Sequence, residues 1–371
     1  MTLPSQVTNY QCPACTGPLK FDPQTGKLVC EYCESVYDPK EIEAQYAQKE
    51  AEAEAAKKKA DAQYAQAVAQ MPEGSPWTEA EANGLKVYNC PSCGAEIICE
   101  ETTAATSCVY CGNPSVVPGQ LGGTLKPDFV IPFQKTREDA LGALKKFYKG
   151  KPLLPKAFSS AAHLEEVKGL YVPFWLFDGK AEGNAVYNCS NSRSWTQGNY
   201  RITETEHFMA NRGGTLDFQH IPVDASKNMK DDYMDSIEPY DYAGLKPFST
   251  AYLPGFLADK YDVDAKACAP RATDRAKASL MDAFAATVTG YMSVGLREGR
   301  ADFYPKNASY ALLPVWMLHT KWQDRDYYFA MNGQTGKLVG DLPVSKGKFW
   351  GILAGVWAAV FAVIELISRL G

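Results

Sequence analysis

Two stretches decide the fold of the N-terminal third: CPACTGPLKFDPQTGKLVCEYC at residues 12–33 and CPSCGAEIICEETTAATSCVYCG at residues 90–112. Each contains two CxxC pairs separated by fourteen residues. Every cysteine of the first set recurs 78 residues later in the second, and the two sets are Cys12, Cys15, Cys30, Cys33 and Cys90, Cys93, Cys108, Cys111. A repeat of this kind indicates one structural unit that is used twice.

The spacing of these cysteines is typical of a zinc ribbon. Two residues between a pair of thiolates allow one turn to direct both sulfurs to a single ion, and a second pair completes a tetrahedron about 2.3 Å from zinc. Four sulfurs leave no position for water, so the pattern predicts two structural Zn²⁺ ions that stabilise domains with little core of their own. A rubredoxin-like iron site uses similar turns, but nothing else in the sequence indicates electron transfer.

The residues around the cysteines distinguish the two ribbons. Gly94 and Gly112 follow the second cysteine of their pairs, as such turns often require. The first ribbon has Thr16 and Glu34 at these positions, which predicts that it is the looser of the two. Cys99 is a fifth sulfur in the second ribbon, and we predict a buried strand thiol there because four better-spaced ligands are present.

Composition and charge limit the function classes. The 371 residues are 46% hydrophobic with a formal charge of -5, so the chain has no general attraction to polyanions. The first residues lack a basic region followed by an apolar run, and eight of eleven cysteines form CxxC pairs, which indicates a reducing compartment. Both ribbons are net negative, which disfavours nucleic acid, although a nucleic-acid-associated ribbon protein remains the alternative.

The pattern of the remaining chain predicts an α+β multidomain protein. We expect a first ribbon at 1–38, a charged Ala-rich helical spacer at 39–76, a second ribbon at 77–119, an α+β body at 120–345 and a membrane anchor at 346–371. The spacer is built of strong helix formers and has Glu54 placed to pair with Lys58. Its narrow apolar stripe leaves open a solvated spacer or a partner-binding coiled-coil face.

The body combines helix and strand signals. A capping-box-like start at Thr136 and Asp139 predicts one helix, and apolar residues at helical spacing predict another from Thr273 to about Met292. YVPFWL at 171–176 and LLPVWM at 312–317 resemble a weak internal repeat of strands, and alternation from Trp316 through a turn near Asp324 predicts a hairpin in an antiparallel sheet. QTGKLV occurs at 24–29 and 334–339, where Thr-Gly predicts a tight turn before a strand.

The C-terminal segment has the character of a membrane span. Residues 349–367 contain Glu365 as their only ionisable group, and nineteen helical residues cross about 30 Å of hydrocarbon. Lys346 and Lys348 precede the segment, so the positive-inside tendency predicts one pass, with residues 1–348 in the cytoplasm and an anchor inserted after synthesis. The alternative is a buried core or oligomer-interface helix, and the sequence is also compatible with a homo-oligomer.

Catalytic motifs are missing from the sequence. There is no GxxxxGK[ST], HExxH, GxSxG or GxGxxG pattern, so we predict no enzyme, no catalytic residue and no organic cofactor. A ligand-binding or hydrolytic body remains a second alternative, and its candidate cluster is Arg201, Glu204, Glu206, His207 and His220.

The acidic run from Asp231 to Asp241 is interpreted as a solvated loop, with a calcium site as the weaker alternative. Cys189 and Cys268 are expected to be buried thiols.

Several longer segments resemble one bacterial family. They are CPSCGAE at 90–96, ETTAAT at 101–106, YVPFWLFD at 171–178, DDYMDSIEPYDY at 231–242, KPFSTAYLPG at 246–255, LLPVWML at 312–318 and FAMNGQTGKLVGDLPV at 329–344. From Tyr10 to about Trp350 the chain is similar to the transcription-factor-IIB-type zinc-ribbon-containing membrane proteins. It departs from them in its long spacer and in having a single apolar segment near its end.

This resemblance implies a membrane-tethered protein that acts with phage-shock-protein-A-like and flotillin-like membrane proteins in envelope stress or membrane organisation. Some relatives carry helicase-derived labels, which the missing nucleotide loop contradicts here. We therefore expect a zinc-binding, membrane-anchored scaffold or adaptor that faces the cytoplasm, contacts the bilayer through residues 349–367 and does not favour nucleic acid.

Overall fold

The computed structural model describes residues 10–15, 17–71, 74–78, 85–100, 107–113, 117–119, 125–155, 158, 167–323 and 325–370. Parts of every predicted segment lie outside these ranges, including the motif at 101–106 and the predicted turn residue Asp324. The chain divides into two compact units, residues 1–66 and 67–371.

The first unit contains a small sheet and most of a long helix. The antiparallel strands are β1 (Leu19–Asp22), β2 (Lys27–Cys30) and β3 (Val36–Tyr37), in that order. Helix α1 (Pro39–Ala69) begins where proline is favoured, directly after Asp38, whose carboxylate accepts a bond from the Lys40 N–H at 2.9 Å. The predicted helix is confirmed, and Lys58 lies 2.8 Å from Glu54 as expected.

The second unit is built on one large mixed sheet. Its strands are β4 (Leu85–Asn89), β5 (Glu96–Glu100), β6 (Val117–Gly119), β7 (Phe129–Val130), β8 (Lys168–Gln197), β9 (Tyr200–Asp224), β10 (Lys246–Pro247), β11 (Leu257–Asp259), β12 (Ser293–Trp322), β13 (Arg325–Asn332) and β14 (Leu338–Gly340). Along one path the order is β10-β7-β12-β8-β11-β5-β4-β6, while β9 pairs with β8 and the β13–β14 hairpin extends from β12.

The sheet differs in one respect from the antiparallel sheet that the sequence predicts. Strand β11 runs parallel to β8, and β7 runs parallel to β12. Because β11 also pairs with β5, the strands of the second ribbon continue the sheet of the body. Strand alternation alone cannot reveal these pairings, since they join segments that are far apart in sequence.

Three strands dominate the architecture. Strands β8 and β12 each contain 30 residues and pair antiparallel from Ser190–Ser293 to Lys168–Met317. YVPFWL and LLPVWM lie within this ladder, where Tyr171 pairs with Pro314. Strand β9 contains 25 residues and covers the other edge of β8 over most of its length. The predicted hairpin is confirmed, because β12 and β13 pair from Trp316–Met331 to Trp322–Arg325.

The helices of the body refine two expectations. Helix α2 (Arg137–Tyr148) has the predicted capping box, with the Asp139 N–H donating to the Thr136 hydroxyl at 3.2 Å. The acidic run is not a loop: residues Asp231–Ile237 form helix α3. Its carboxylates pair with arginines of helix α4 (Ala265–Ala286), since Arg271 lies 2.7 Å from Asp235.

Helix α4 starts eight residues before the predicted Thr273. It ends at Ala286, before the predicted end at about Met292. The apolar spacing used for the prediction does not extend to the first turns of the helix, where Pro270 would usually be expected to end a helix. In the structure, the Asp264 carboxylate accepts a bond from the Ala267 N–H at 2.7 Å and starts the helix, which continues through Pro270. The buried side of α4, including Ala272, Ala276 and Leu280, packs on the sheet.

The last helix, α5 (Lys346–Leu370), leaves exposed the large apolar side chains that the structure describes from Phe349 to Ile367. Residues Lys346–Glu365 are long and apolar enough to cross a membrane, and none of this window is buried within the chain. Its start is attached to the body, where the Ser345 N–H donates to the Leu153 carbonyl at 2.9 Å and the Lys348 Nζ donates to the Leu154 carbonyl at 2.6 Å.

Candidate metal centres

The four CxxC turns share one backbone arrangement. In each turn the N–H of the first cysteine donates to the carbonyl five residues later; these bonds are Cys12 to Gly17 (2.7 Å), Cys30 to Ser35 (3.0 Å), Cys90 to Ala95 (2.9 Å) and Cys108 to Asn113 (2.8 Å). The same hairpin-like closure at each turn holds the two thiols of a pair on one side of the backbone.

A residue in the left-handed backbone conformation completes three of these turns. Glu34, Gly94 and Gly112 have φ angles of 59°, 77° and 70°, and their N–H groups donate back to the first cysteine's carbonyl. Glycine adopts this conformation without a steric cost, whereas glutamate does not. This difference supports the sequence-based expectation that the first ribbon is the looser one. In the remaining turn, Cys12–Cys15, the corresponding residue Thr16 lies outside the described residues.

The eight cysteines predicted as ligands come together in two groups of four. Within each group all sulfurs lie within 4.8 Å of one another. These sulfur–sulfur contacts join one turn to the other: Cys12–Cys33 at 3.5 Å, Cys15–Cys30 at 3.4 Å, and Cys90–Cys111 and Cys93–Cys108 at 3.6 Å each. A ZnS₄ tetrahedron with bonds of about 2.3 Å has sulfurs roughly 3.8 Å apart, so the donor sets fit zinc.

The first group lies near the surface of its small sheet. Cys12 and Cys30 are buried, but Cys15 and Cys33 are exposed. The Tyr37 hydroxyl lies 3.4 Å from the Cys12 sulfur, and the Ser35 hydroxyl lies 3.2 Å from the Cys33 sulfur. Such hydrogen bonds orient thiolates around a metal and tune its binding.

The second group is joined to the core of the body. Cys90 and Cys108 are buried in the same apolar cluster as Ile97 and Leu170. Between the last two cysteines, Tyr110 is buried and its hydroxyl donates a hydrogen bond to Asp259 of β11. The Ser226 hydroxyl donates to the same carboxylate at 2.6 Å, and the Lys260 N–H donates to its other oxygen at 3.0 Å.

Burial controls the proton affinities around the second group. It raises the pKa of the Cys108 thiol to about 11 and the pKa of the Asp259 carboxyl to about 7.

At Cys12 of the first group, burial also raises the pKa, but hydrogen bonds from Tyr37 and from nearby backbone N–H groups outweigh it and bring the pKa to about 6. A divalent cation would stabilise the thiolates of both groups, and its binding would release protons.

Other candidate residues are placed elsewhere. On β9, Glu204 and Glu206 alternate in face with Arg201 and His207, and Glu204 is paired with Arg193 at 2.5 Å. His220 lies thirteen residues beyond His207 and stacks near Tyr242, with ring centroids 5.4 Å apart. The structure does not bring the five residues of this cluster into one site.

The acidic run and the remaining thiols are parts of the body's packing. Asp231 and Asp235 pair with Arg271, and Glu238 pairs with Arg275, so these carboxylates face arginines. Cys99, Cys189 and Cys268 are buried as predicted. Burial raises the pKa of Cys268 to about 12.

Sequence reasoning missed the residues that connect the second group to the body. Tyr110 and Asp259 are 149 residues apart, and no sequence motif links them. Lys168 is a further connection, because its Nζ donates to the Ser107 carbonyl at 3.3 Å directly before Cys108. The one available signal was a tyrosine inside a CxxC turn, and it did not identify a partner.

Comparison with known proteins places this chain in a family. Residues 11–38, which hold the first group, match the family model described as Trm112p-like protein. The chain is 37% identical over 332 residues to "Uncharacterized protein YdjG" of Bacillus subtilis (strain 168), in a match that covers 76% of this chain and 97% of the relative. No solved structure matches the chain. Two four-cysteine groups that could bind zinc and this extensive similarity show that the chain belongs to the zinc-ribbon family that includes YdjG.

Proposed function

We propose that this protein is a zinc-binding, membrane-anchored scaffold or adaptor whose N-terminal bulk faces the cytoplasm. The exposed apolar surface of α5 carries the proposal. The large apolar side chains that the structure describes between Phe349 and Ile367 are between 37% and 70% exposed. A core helix would bury these side chains, whereas a spanning helix places them in hydrocarbon.

The attachment of α5 to the body supports a fixed position at the membrane surface. The bonds from Ser345 to Leu153 and from Lys348 to Leu154 hold the helix start against the segment that follows α2. Two lysines and Trp350 at this end suit the interface between water and lipid. The bound zinc ions would only hold the ribbons folded, since four thiolates complete their coordination.

The distal part of the three long strands supports a scaffold role. At 3.3 Å per residue, the 30 residues of β8 extend about 100 Å. Beyond the Ser190–Ser293 pair, β8 and β9 continue as a two-stranded tip. Apolar side chains are exposed on and near this tip, namely Trp195, Tyr200, Phe208, Met209, Met292, Val294 and Leu296. Exposed apolar groups of this kind mark interaction surfaces.

The edges of these strands offer a second means of binding. Among the described residues, no strand pairs with the outer edge of β9 or with the outer edge of β12 before Ala311. An unpaired edge can receive an added strand from a partner. The resemblance supplies the expected partner class, which is membrane proteins of the phage-shock or flotillin-like type in envelope stress or membrane organisation.

Affinity purification from native membranes in mild detergent tests this function. We expect the wild-type chain to recover membrane proteins and a variant with Trp195→Ser and Tyr200→Ser to lose them. Tyr32→Ser, which changes an equally exposed tyrosine of the first unit, is the matched control. Recovery of the wild-type chain alone would count against the scaffold role, and extraction of the full chain by alkaline carbonate would count against the anchor.

A further inference from the structure

A wide groove lies where the body meets the start of α5. We call it the interfacial groove; it has a volume of about 1130 Å³ and is lined by Pro155, Trp322, Gln323, Arg325, Tyr327, residues 341–347 and Phe349. Ligand sites commonly have volumes of roughly 300–1,000 Å³. The groove therefore has room for a group much larger than a single small ion.

The position of the groove follows from chain connectivity. Its wall includes Lys346 and Phe349, where the charged end of α5 gives way to the apolar segment. If α5 spans the bilayer, as proposed above, this point lies at the depth of the lipid headgroups. Because the helix start is bonded to Leu153 and Leu154, the groove stays with the helix at that depth.

The aromatic wall of the groove is held by the core. Trp322 and Tyr327 lie on paired strands, and their ring centroids lie 5.7 Å and 5.4 Å from that of Phe158. Phe158 is only 1% exposed. Tryptophan and tyrosine favour the boundary between headgroups and acyl chains, where one side of the ring is apolar and the other is wet.

The charges of the groove suit a phosphate. Arg325 and Lys346 line it, and neither has a hydrogen-bond or ion-pair partner among the side chains that the structure describes. The opposing charge in the lining is Asp341, whose carboxylate already accepts a hydrogen bond from the Tyr233 hydroxyl at 2.5 Å. Arginine and lysine both bind phosphate oxygens through charge-assisted hydrogen bonds.

We propose that the interfacial groove binds the phosphodiester headgroup of a membrane phospholipid. Arg325 and Lys346 contact the phosphate oxygens, while Trp322 and Tyr327 pack against the glycerol and the first methylenes of the acyl chains. This assignment rests on the proposed membrane insertion of α5. It adds a specific lipid contact that would set the orientation of the body on the bilayer.

Native mass spectrometry of the full chain in mild detergent tests the proposal. The protein is titrated with phosphatidylglycerol, with phosphatidylcholine and with inorganic phosphate. We expect phospholipid adducts, and we expect Arg325→Gln with Lys346→Gln to weaken them at least about tenfold, since both charge-assisted contacts to the phosphate oxygens are removed. Binding of both lipids, or of phosphatidylglycerol alone, supports the proposal if the double variant loses it.

A variant with the same loss of charge serves as the control. Arg201→Gln with Lys306→Gln changes two exposed residues outside the groove lining and is expected to bind lipid like the wild type. Equal lipid binding by the groove variant would overturn the proposal, as would displacement of lipid by inorganic phosphate at matched concentration. Carbonate extraction separates the lipid-binding groove from the membrane anchor. If the groove variant stays in the membrane and binds lipid normally, the proposed groove is contradicted while the proposed anchor is not.

Discussion

The hydroxyl of Tyr110 donates a hydrogen bond to the carboxylate of Asp259, and so connects a cysteine turn of the second ribbon to a central strand of the body. Both residues are buried, at 4% and 1% exposure. The same strand pairs with β5 of the ribbon, so the second group of thiols is structurally part of the body. The first group belongs to a separate compact unit. Loss of metal should therefore have different consequences at the two ribbons.

The first prediction concerns this difference. Cys90→Ser should lower the unfolding midpoint of the body, because a loosened turn would disturb the Tyr110 contact and the apolar cluster around Cys90. Cys12→Ser should leave that midpoint nearly unchanged. Scanning calorimetry of both variants in the same detergent measures the effect. Equal shifts from the two substitutions would contradict the separation of the ribbons.

The second prediction concerns Glu34, which has a φ angle of 59°. Glu34→Gly should stabilise the first ribbon by about 1 kcal/mol, because glycine avoids the steric cost of the left-handed conformation. The measurement is zinc retention against a competing chelator.

Glu34→Ala is the control for side-chain loss, since alanine keeps the Cβ and should give no gain. Gly94→Ala introduces the same strain in the second ribbon and should weaken its zinc retention by a similar amount. A stabilising effect of Glu34→Ala as large as that of Glu34→Gly would show that backbone strain is not the cause.

The third prediction concerns the pH dependence of stability. Burial raises the pKa of Asp259 to about 7, so the folded chain holds a proton that the unfolded chain has already lost. Stability from this group is fully present below the ordinary carboxyl pKa and is lost as the pH rises through about 7.

The Asp259→Asn variant has an amide at this position, which does not ionise. Its free energy of unfolding relative to that of the wild type should therefore rise by about 1 kcal/mol from pH 6 to pH 8. Asparagine can still accept from the Lys260 N–H and donate to a hydroxyl. Denaturant unfolding of the zinc-saturated proteins at the two pH values measures the change, and parallel pH profiles would argue against a protonated Asp259.

The fourth prediction concerns the ion pair between α4 and the end of β9. The Asp224 side chain is only 1% exposed and lies 2.6 Å from Arg271. Arg271→Met should destabilise the body by about 3 kcal/mol at pH 8, because it leaves a buried charge without its partner. Burial raises the pKa of Asp224 to about 6, so the loss should shrink at pH 5, where the carboxyl takes up a proton.

Replacement of both partners checks the cause. Arg271→Met with Asp224→Leu should recover most of the stability, since no buried charge remains. Urea unfolding of the single and double variants gives the comparison. A double variant no more stable than Arg271→Met would point to packing rather than charge.

Local patterns predicted the local structure well. The CxxC spacing predicted the grouping of eight thiols, the capping box predicted the start of α2, and the two Thr-Gly turns precede β2 and β14 with Gly26 and Gly336 at positive φ. These features are determined by residues close together in sequence. The eight-cysteine pattern was therefore the most informative part of the chain.

Features that depend on distant residues were not predictable in the same way. The acidic run becomes helix α3 because arginines some forty residues later neutralise it, as in the pairing of Arg275 with Glu238. The parallel pairing of β11 with β8 joins segments almost ninety residues apart. The groove likewise combines Pro155 with a hairpin end and a helix start, which no sequence window contains.

Elemental analysis of the chain isolated from membranes under reducing conditions tests the account most directly. We predict two zinc ions per chain, and one ion after Cys12→Ser with Cys15→Ser or after Cys90→Ser with Cys93→Ser. Protein without bound metal, or with these eight sulfurs oxidised to disulfides, would contradict the account.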